Sequence, residues 1–478
     1  MRPESSPLLP GFPIRFGRPR VRRIELIKRE VAEMSLRRLD ELASLFSPWI
    51  DSSLLATTGS GKNSRWRTFS MEWVFWAFLC QLLGGLGCRG AVKRVQSWAV
   101  ARGRKAPSSN PSAYCQARNR LPLAVLQKVF DTTARRLTDR VGAGELWHGH
   151  RVKVVDGTGL SAADTKPNQK EWPQSRNMKP GCGFPQLNLV GLFCLHTGAL
   201  LGWREGNKHD HETSLWRKLW ELLSPGDVVL GDRAFGSYAD IARLKARGID
   251  GVYRLHATRK LDWRRGKHLG RRDRLQVWNK PVRRPKGCPV EAWRKLPSQL
   301  QVRVVEKTVG VPGFRPEKIV LATTLADADC YPADELARLY RRRWSVEVFF
   351  RDVKITLGMD ELKCQTPEAV RRELAMYLIC HNLLRGMIQE AARRHDLPVE
   401  HISFQGAAEQ LSHWLWLFMG TQTRAERQRR LGEFYLALVS APLPQRPNRT
   451  EPRVRKRRPK NYRLMTRPRD ADKPGKAA

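Results

Sequence analysis

From about Val21 to Arg140, apolar residues recur at intervals of three and four. The runs are IELIKREVAEMSLRRLDELASLF, MEWVFWAFLCQLL, AVKRVQSWAVARG and LAVLQKVFDTTARRL, separated by Gly, Ser and Pro clusters. That spacing predicts a series of helices with basic outer faces. At residue 151 the period changes to two: RVKVVDGTGL is a β-branched run, and QLNLVGLFCL, HTG and ALLGWREG read as a hairpin, so three strands follow one another. ETSLWRKLWELL returns to helical spacing, DVVLGD is a short buried strand, SYADIARLKARG is a second helix and GVYRLHAT another strand. The predicted order is β-β-β-α-β-α-β.

Residues 259–330 carry the strand patterns RLQVWNK, LQVRVVEKTV and EKIVLATTL between loops rich in Lys, Arg and Pro, which predicts a β-rich insertion. A long helix from about Pro332 to Leu357 follows, then another from Pro367 to His395, and GAAEQLSHWLWLFM and RRLGEFYLALV read as packing helices. The fold class is therefore α/β with an all-helical N-terminal region. The chain has no internal repeat.

Composition narrows the partner. In 478 residues, 87 Lys and Arg face 46 Asp and Glu, a formal charge of +41 that repels itself unless a polyanion neutralises it. Nucleic acid is the candidate. A membrane surface would call for a basic amphipathic helix or a lipidation signal, and neither stands out. The apolar stretch Trp73 to Gly87 is broken by Gln81 and is too short for a span, so it reads as a buried helix. Nine scattered cysteines with no CxxC pair suggest neither a zinc ribbon nor a disulfide framework, and read as reduced cytosolic thiols.

Two acids are candidates for chemistry. Asp156 and Asp232 each close a buried-looking strand, where open α/β sheets place ligands, although either alone reads more readily as a turn or capping residue. Tyr340, Arg343, Glu347 and Lys354 share one helical stripe, which by itself could be a solvated face with an ion pair. His209, Asp210, His211 and Glu212 invite a metal reading, but more simply form the capped start of a helix.

The stripe spells Y-x2-R-x3-E-x6-K in YRRRWSVEVFFRDVK, and VVDGTGL and VVLGDRAFGSY flank the two Asp in the matching order. With AYCQARNRLP as a weaker upstream edge, residues 110 to 395 resemble the DDE transposases of the insertion sequence 4 family. The resemblance implies an RNase H-like core, a mixed sheet flanked by helices and interrupted by the β-rich insertion, with Asp156, Asp232 and Glu347 as catalytic and metal-binding triad. Three carboxylates are hard oxygen ligands suited to two Mg2+ ions, with Mn2+ able to substitute. Such a pair of ions serves in-line displacement at phosphorus without a covalent protein intermediate. Tyr340, Arg343 and Lys354 would contact phosphates of the element end and Trp344 would stack on a distorted base.

The implied organisation is a basic arm (1–20), a helical DNA-end-binding region (21–145), a first part of the core (146–258), the insertion (259–330), a second part with the signature helix (331–400), C-terminal helices (401–442) and a basic tail (443–478). The implied reaction is cut-and-paste transposition of an insertion sequence by end hydrolysis and strand transfer. Its partners would be double-stranded DNA, as terminal inverted repeats and target, and a second copy in a homodimeric synaptic complex. The expected location is the bacterial cytoplasm at the nucleoid, with no membrane. Family members that form DNA hairpins hold a flipped base on a Trp before the signature helix. Ile319 takes that place here, with Trp263, Trp278 and Trp293 elsewhere in the insertion. Two alternatives stay open: a metal-dependent nuclease without strand joining, and a catalytically silent DNA-binding derivative.

Overall fold

The structure is a computed structural model that describes residues 45–55, 69–101, 105–256, 258–285, 287–309, 317–418, 423–440, 442–443 and 465–468. The expected arm at 1–20, most of the first predicted helix and most of the basic tail lie outside the described residues.

The alternating run after residue 151 forms β1 (Val152–Ala162), which pairs antiparallel with β2 (Gln186–Cys194), itself paired with β3 (Leu200–Gly206). β4 (Val228–Gly231) joins β1 in parallel, and β5 (Asp250–Arg254) joins β4 in parallel. The order β3-β2-β1-β4-β5 is the RNase H-like core that the resemblance implied. Beyond β5 the sheet continues without a break. β6 (Lys267–Gly270), β7 (Asp273–Asn279), β8 (Gln299–Val309) and β9 (Glu317–Thr323) extend it to nine strands, β9 lying against β5. The tenth, β10 (Glu361–Leu362), pairs in parallel with the far end of β1.

Strand periodicity assigns each face to its own core. Val152 and Val154 of β1, with Val228 and Leu230 of β4, pack against Val346, Phe349, Phe350 and Val353 of the signature segment. Val155 and Val229 point the other way, into a cluster with Trp216, Ile241 and Trp278. The first face also receives the helices Met71–Leu83, Cys88–Ala101, Ser112–Asn119 and Leu123–Thr138. The boundary near residue 145 is thus a change of secondary structure and not a break in the core.

One helix organises this face. Pro367–Arg394 starts where the Thr366 hydroxyl accepts the Ala369 N–H, with Pro at its first position, and it packs against the Met71–Leu83, Leu123–Thr138, Phe404–Phe418 and Arg424–Val439 helices. It is buried on nearly every side, so its polar residues are paired inward. The Asn382 side chain accepts from Leu200 N–H and donates to Leu200 C=O, both at 2.9 Å, closing the end of β3 as a neighbouring strand would. His381 lies 2.9 Å from Gly198 C=O through Nε2, and burial together with Arg385 lowers its pKa to about 3, leaving it neutral and able to donate this bond.

Candidate active site

The register of β1 and β4 brings the two Asp together. Val154 stands opposite Leu230, so two residues further on Asp156 is level with Asp232. Asp156 is in phase with Val152 and Val154, which face the signature helix, and Asp232 lies just past the end of β4. The expectation that Asp156 closes its strand is corrected: β1 runs on to Ala162, because β2 and then β10 continue to supply backbone partners. What ends at this level is β4, and Asp232 follows directly after Gly231. Its carboxylate accepts the Ala234 N–H at 2.7 Å, which holds it in the turn.

The signature segment is helical from Ala333 to Thr356 but is not one uniform helix. Ala333–Arg341 is followed by a 3-10 turn (Arg342–Trp344), an α-helical stretch (Ser345–Arg351) and a π turn (Asp352–Thr356). It lies close on the sheet because Gly191, the β2 partner of Asp156, has no side chain: a Cβ there would come 3.2 Å from the Phe350 ring. The Asp352 carboxylate meets the Arg385 guanidinium at 2.5 Å in a buried pair, tying the π turn to the long helix.

Glu347 then faces Asp156 across Arg343. Arg343 donates to Asp156 Oδ2 at 3.3 Å and to Glu347 Oε1 at 3.2 Å. Burial pushes the Asp156 carboxyl up to about 6, the Gly157 N–H and Arg343 pull it down, and the charges of Asp232 and Glu347 push it up again. Asp232 and Glu347 thus both act on the charge of Asp156.

The stripe residues divide by task. Trp344 is exposed beside the acids. Lys354 donates to Thr158 Oγ1 at 3.2 Å and to Gly159 C=O at 2.8 Å, on β1 beyond Asp156. Tyr340, expected to reach phosphate, is instead buried, because its hydroxyl donates to Gly231 C=O at 3.3 Å and so braces the residue before Asp232. In the insertion, Ile319 and Trp278 are buried, and Trp263 and Trp293 pack partly buried against the core opposite the signature helix.

The model of the transposase DDE domain family matches residues 147–383, a span that includes Asp156, Asp232, Glu347 and every stripe residue. Residues 147–383 of this chain are thus a transposase DDE domain. It is similar to transposase InsG of insertion sequence element IS4 from Escherichia coli K12, 27% identical over 368 residues that cover 74% of this chain and 78% of that one. The putative transposase InsL of insertion sequence element IS186A, also from Escherichia coli K12, is 25% identical over 286 residues, 54% of this chain and 71% of its own length. Among solved structures, the cryo-EM piggyBac transposase synaptic complex with hairpin DNA covers 86% of this chain and 84% of its own at 10% identity, with a TM-score of 0.40, too distant to inform this site.

The acids of this transposase fit a divalent cation. They are all carboxylate oxygens, two of them level on one face, and a cationic guanidinium already stands between two of the three. As the side chains stand, no three acidic, His or Cys ligands among the described residues are gathered into a metal-binding group. The nine cysteines are all free. No helix among the described residues is long and apolar enough to cross a membrane. His211 caps the Glu212–Arg217 helix, its side chain accepting the Thr213 N–H, which agrees with the capped-start reading. Sequence spacing did not reveal that Glu212, beside that cap, rests against Gly157, the neighbour of Asp156.

Proposed function

We propose that this DDE transposase cuts and joins DNA with Asp156, Asp232 and Glu347 as ligands of two Mg2+ ions, for which Mn2+ can substitute. The observation that carries the reading is the level pair Asp156 and Asp232 with Glu347 joined to Asp156 through Arg343. When bound, the ions polarise phosphate and supply an activated oxygen for in-line displacement. The same acids serve hydrolysis at an element end and attack by the freed 3′-hydroxyl on target DNA, because the two steps differ in nucleophile alone.

The protein's own groups position the DNA. Lys354 and Arg343 supply positive charge along β1 and the signature segment, and Arg343, which bridges Asp156 and Glu347, would be free to meet a phosphate where a cation served those two carboxylates. Trp344 offers an exposed ring for a distorted base at the end. Tyr340 contributes by holding Gly231, and through it Asp232, rather than by touching DNA. A synaptic homodimer on duplex DNA, with terminal inverted repeats as the first substrate and target as the second, follows from the need to move both ends together. The formal charge of +41 suits that substrate.

The test is a plasmid carrying the element's own ends, incubated with Mg2+ and either wild type or Glu347→Gln, which keeps the size of the side chain and removes its charge. Wild type is expected to excise and join ends while the variant binds and does neither. Equal activity would remove Glu347 from the site, and cleavage without joining would make the protein a nuclease.

A further inference from the structure

We propose that Glu212 is a fourth carboxylate of the active site, a positioning residue that helps hold the divalent cation on the Asp232 side. The inference rests on the reading of Asp156, Asp232 and Glu347 as cation ligands.

Glu212 heads a short helix whose Leu215 and Trp216 are buried in the core opposite Glu347, so it approaches the acids from the other face of the sheet. Its carboxylate rests directly on the Cα of Gly157. A Cβ at that position would lie 2.4 Å from Glu212 Oε1 and 2.6 Å from its Cδ, so any side chain beside Asp156 would displace the carboxylate. Gly157 sits within β1, paired with Val190, and no left-handed backbone conformation demands a glycine there. The room it leaves is the room Glu212 fills.

An acidic residue in the first turn of a helix ordinarily gains by pointing at the free N–H groups or into water. This one is half-buried against a strand and makes no hydrogen bond or ion pair among the described residues. Burial and the charge of Asp232 work against its ionised form, with His211 opposing them. A half-buried carboxylate without a partner is unfavourable unless a cation serves it. The charge of Asp232 raises the carboxyls of both Asp156 and Glu212. Asp156 carries its side chain on the signature-helix face of β1, and Glu212 meets the neighbouring Gly157 from the opposite face.

The test is titration of the full chain with Mn2+ alone, followed by electron paramagnetic resonance, for wild type, Glu212→Gln and Asp232→Asn, each confirmed folded by circular dichroism at the working temperature. Glu212→Gln is expected to raise the Mn2+ concentration needed for half-saturation by about tenfold or more, the range for groups that support metal ligands. Glu212→Asp, which keeps the charge but draws it back by one methylene, is expected to fall between, whatever Glu212→Gln does to stability. If Glu212→Gln titrates as wild type does while Asp232→Asn loses Mn2+, Glu212 has no part in the site. If Asp232→Asn also titrates unchanged, the cation-ligand reading itself fails.

Discussion

Arg343 and Asp156 are joined across the active site by a hydrogen bond of 3.3 Å, and the same guanidinium reaches Glu347 at 3.2 Å four residues along its own helix. One cation thus holds together two acids that would otherwise repel each other. Replacing it with Gln should lower the melting temperature of the metal-free protein, and added Mg2+ should restore more stability to the variant than to wild type. A Mg2+-dependent gain no larger in the variant would mean that guanidinium and metal do not share this position.

The raised pKa of Asp156 sets a pH dependence. Its carboxyl stands at about 6 in the folded protein against an ordinary value of 3.8, so the folded form holds its proton longer than the unfolded chain does. The stability this contributes is full below the ordinary value and is lost as pH rises through about 6. Cation binding has the opposite slope, since the ion needs the charged form. Mn2+ affinity should rise by up to about tenfold per pH unit below the folded pKa and level off above it, as checked by titration at several pH values.

Tyr340→Phe removes the bond to Gly231 and leaves the ring in place. The stability loss should be about 1 kcal/mol in denaturant unfolding, the usual net worth of one hydrogen bond. Excision from plasmid DNA should fall by more than that loss explains, because Gly231 precedes Asp232. Wild-type excision would show that the bond serves the fold alone.

Asp352 and Arg385 are both buried, and Arg385 also lies 4.7 Å from the centre of the Phe349 ring. Arg385→Met should destabilise the protein by about 3–5 kcal/mol, since it leaves a buried carboxylate unpaired. Pairing it with Asp352→Leu should recover most of the loss. A double-mutant cycle by chemical denaturation measures the coupling.

Trp344 is 48% exposed. Its replacement by Ala should change stability by no more than about 0.5 kcal/mol. Affinity for the element's own ends should drop by about 1–3 kcal/mol if the ring stacks on a base. Fluorescence anisotropy with end-containing and unrelated duplexes separates stacking from general charge attraction.

The sequence by itself determined the order of the principal strands and helices and pointed to Asp156, Asp232 and Glu347 as candidates. Alternation and helical spacing are local properties: VKVVDGTGL can bury one face as a strand, and YRRRWSVEVFF can align Arg343 with Glu347 as a helix, whatever surrounds them. The tertiary structure alone decided which side of each element meets which neighbour. It carried β1 past Asp156, turned Tyr340 inward onto Gly231, merged the N-terminal helices into the core of the sheet, and set Glu212 on Gly157. Each of those pairings joins residues far apart in the chain, and their contact depends on how whole faces pack, which no local pattern encodes.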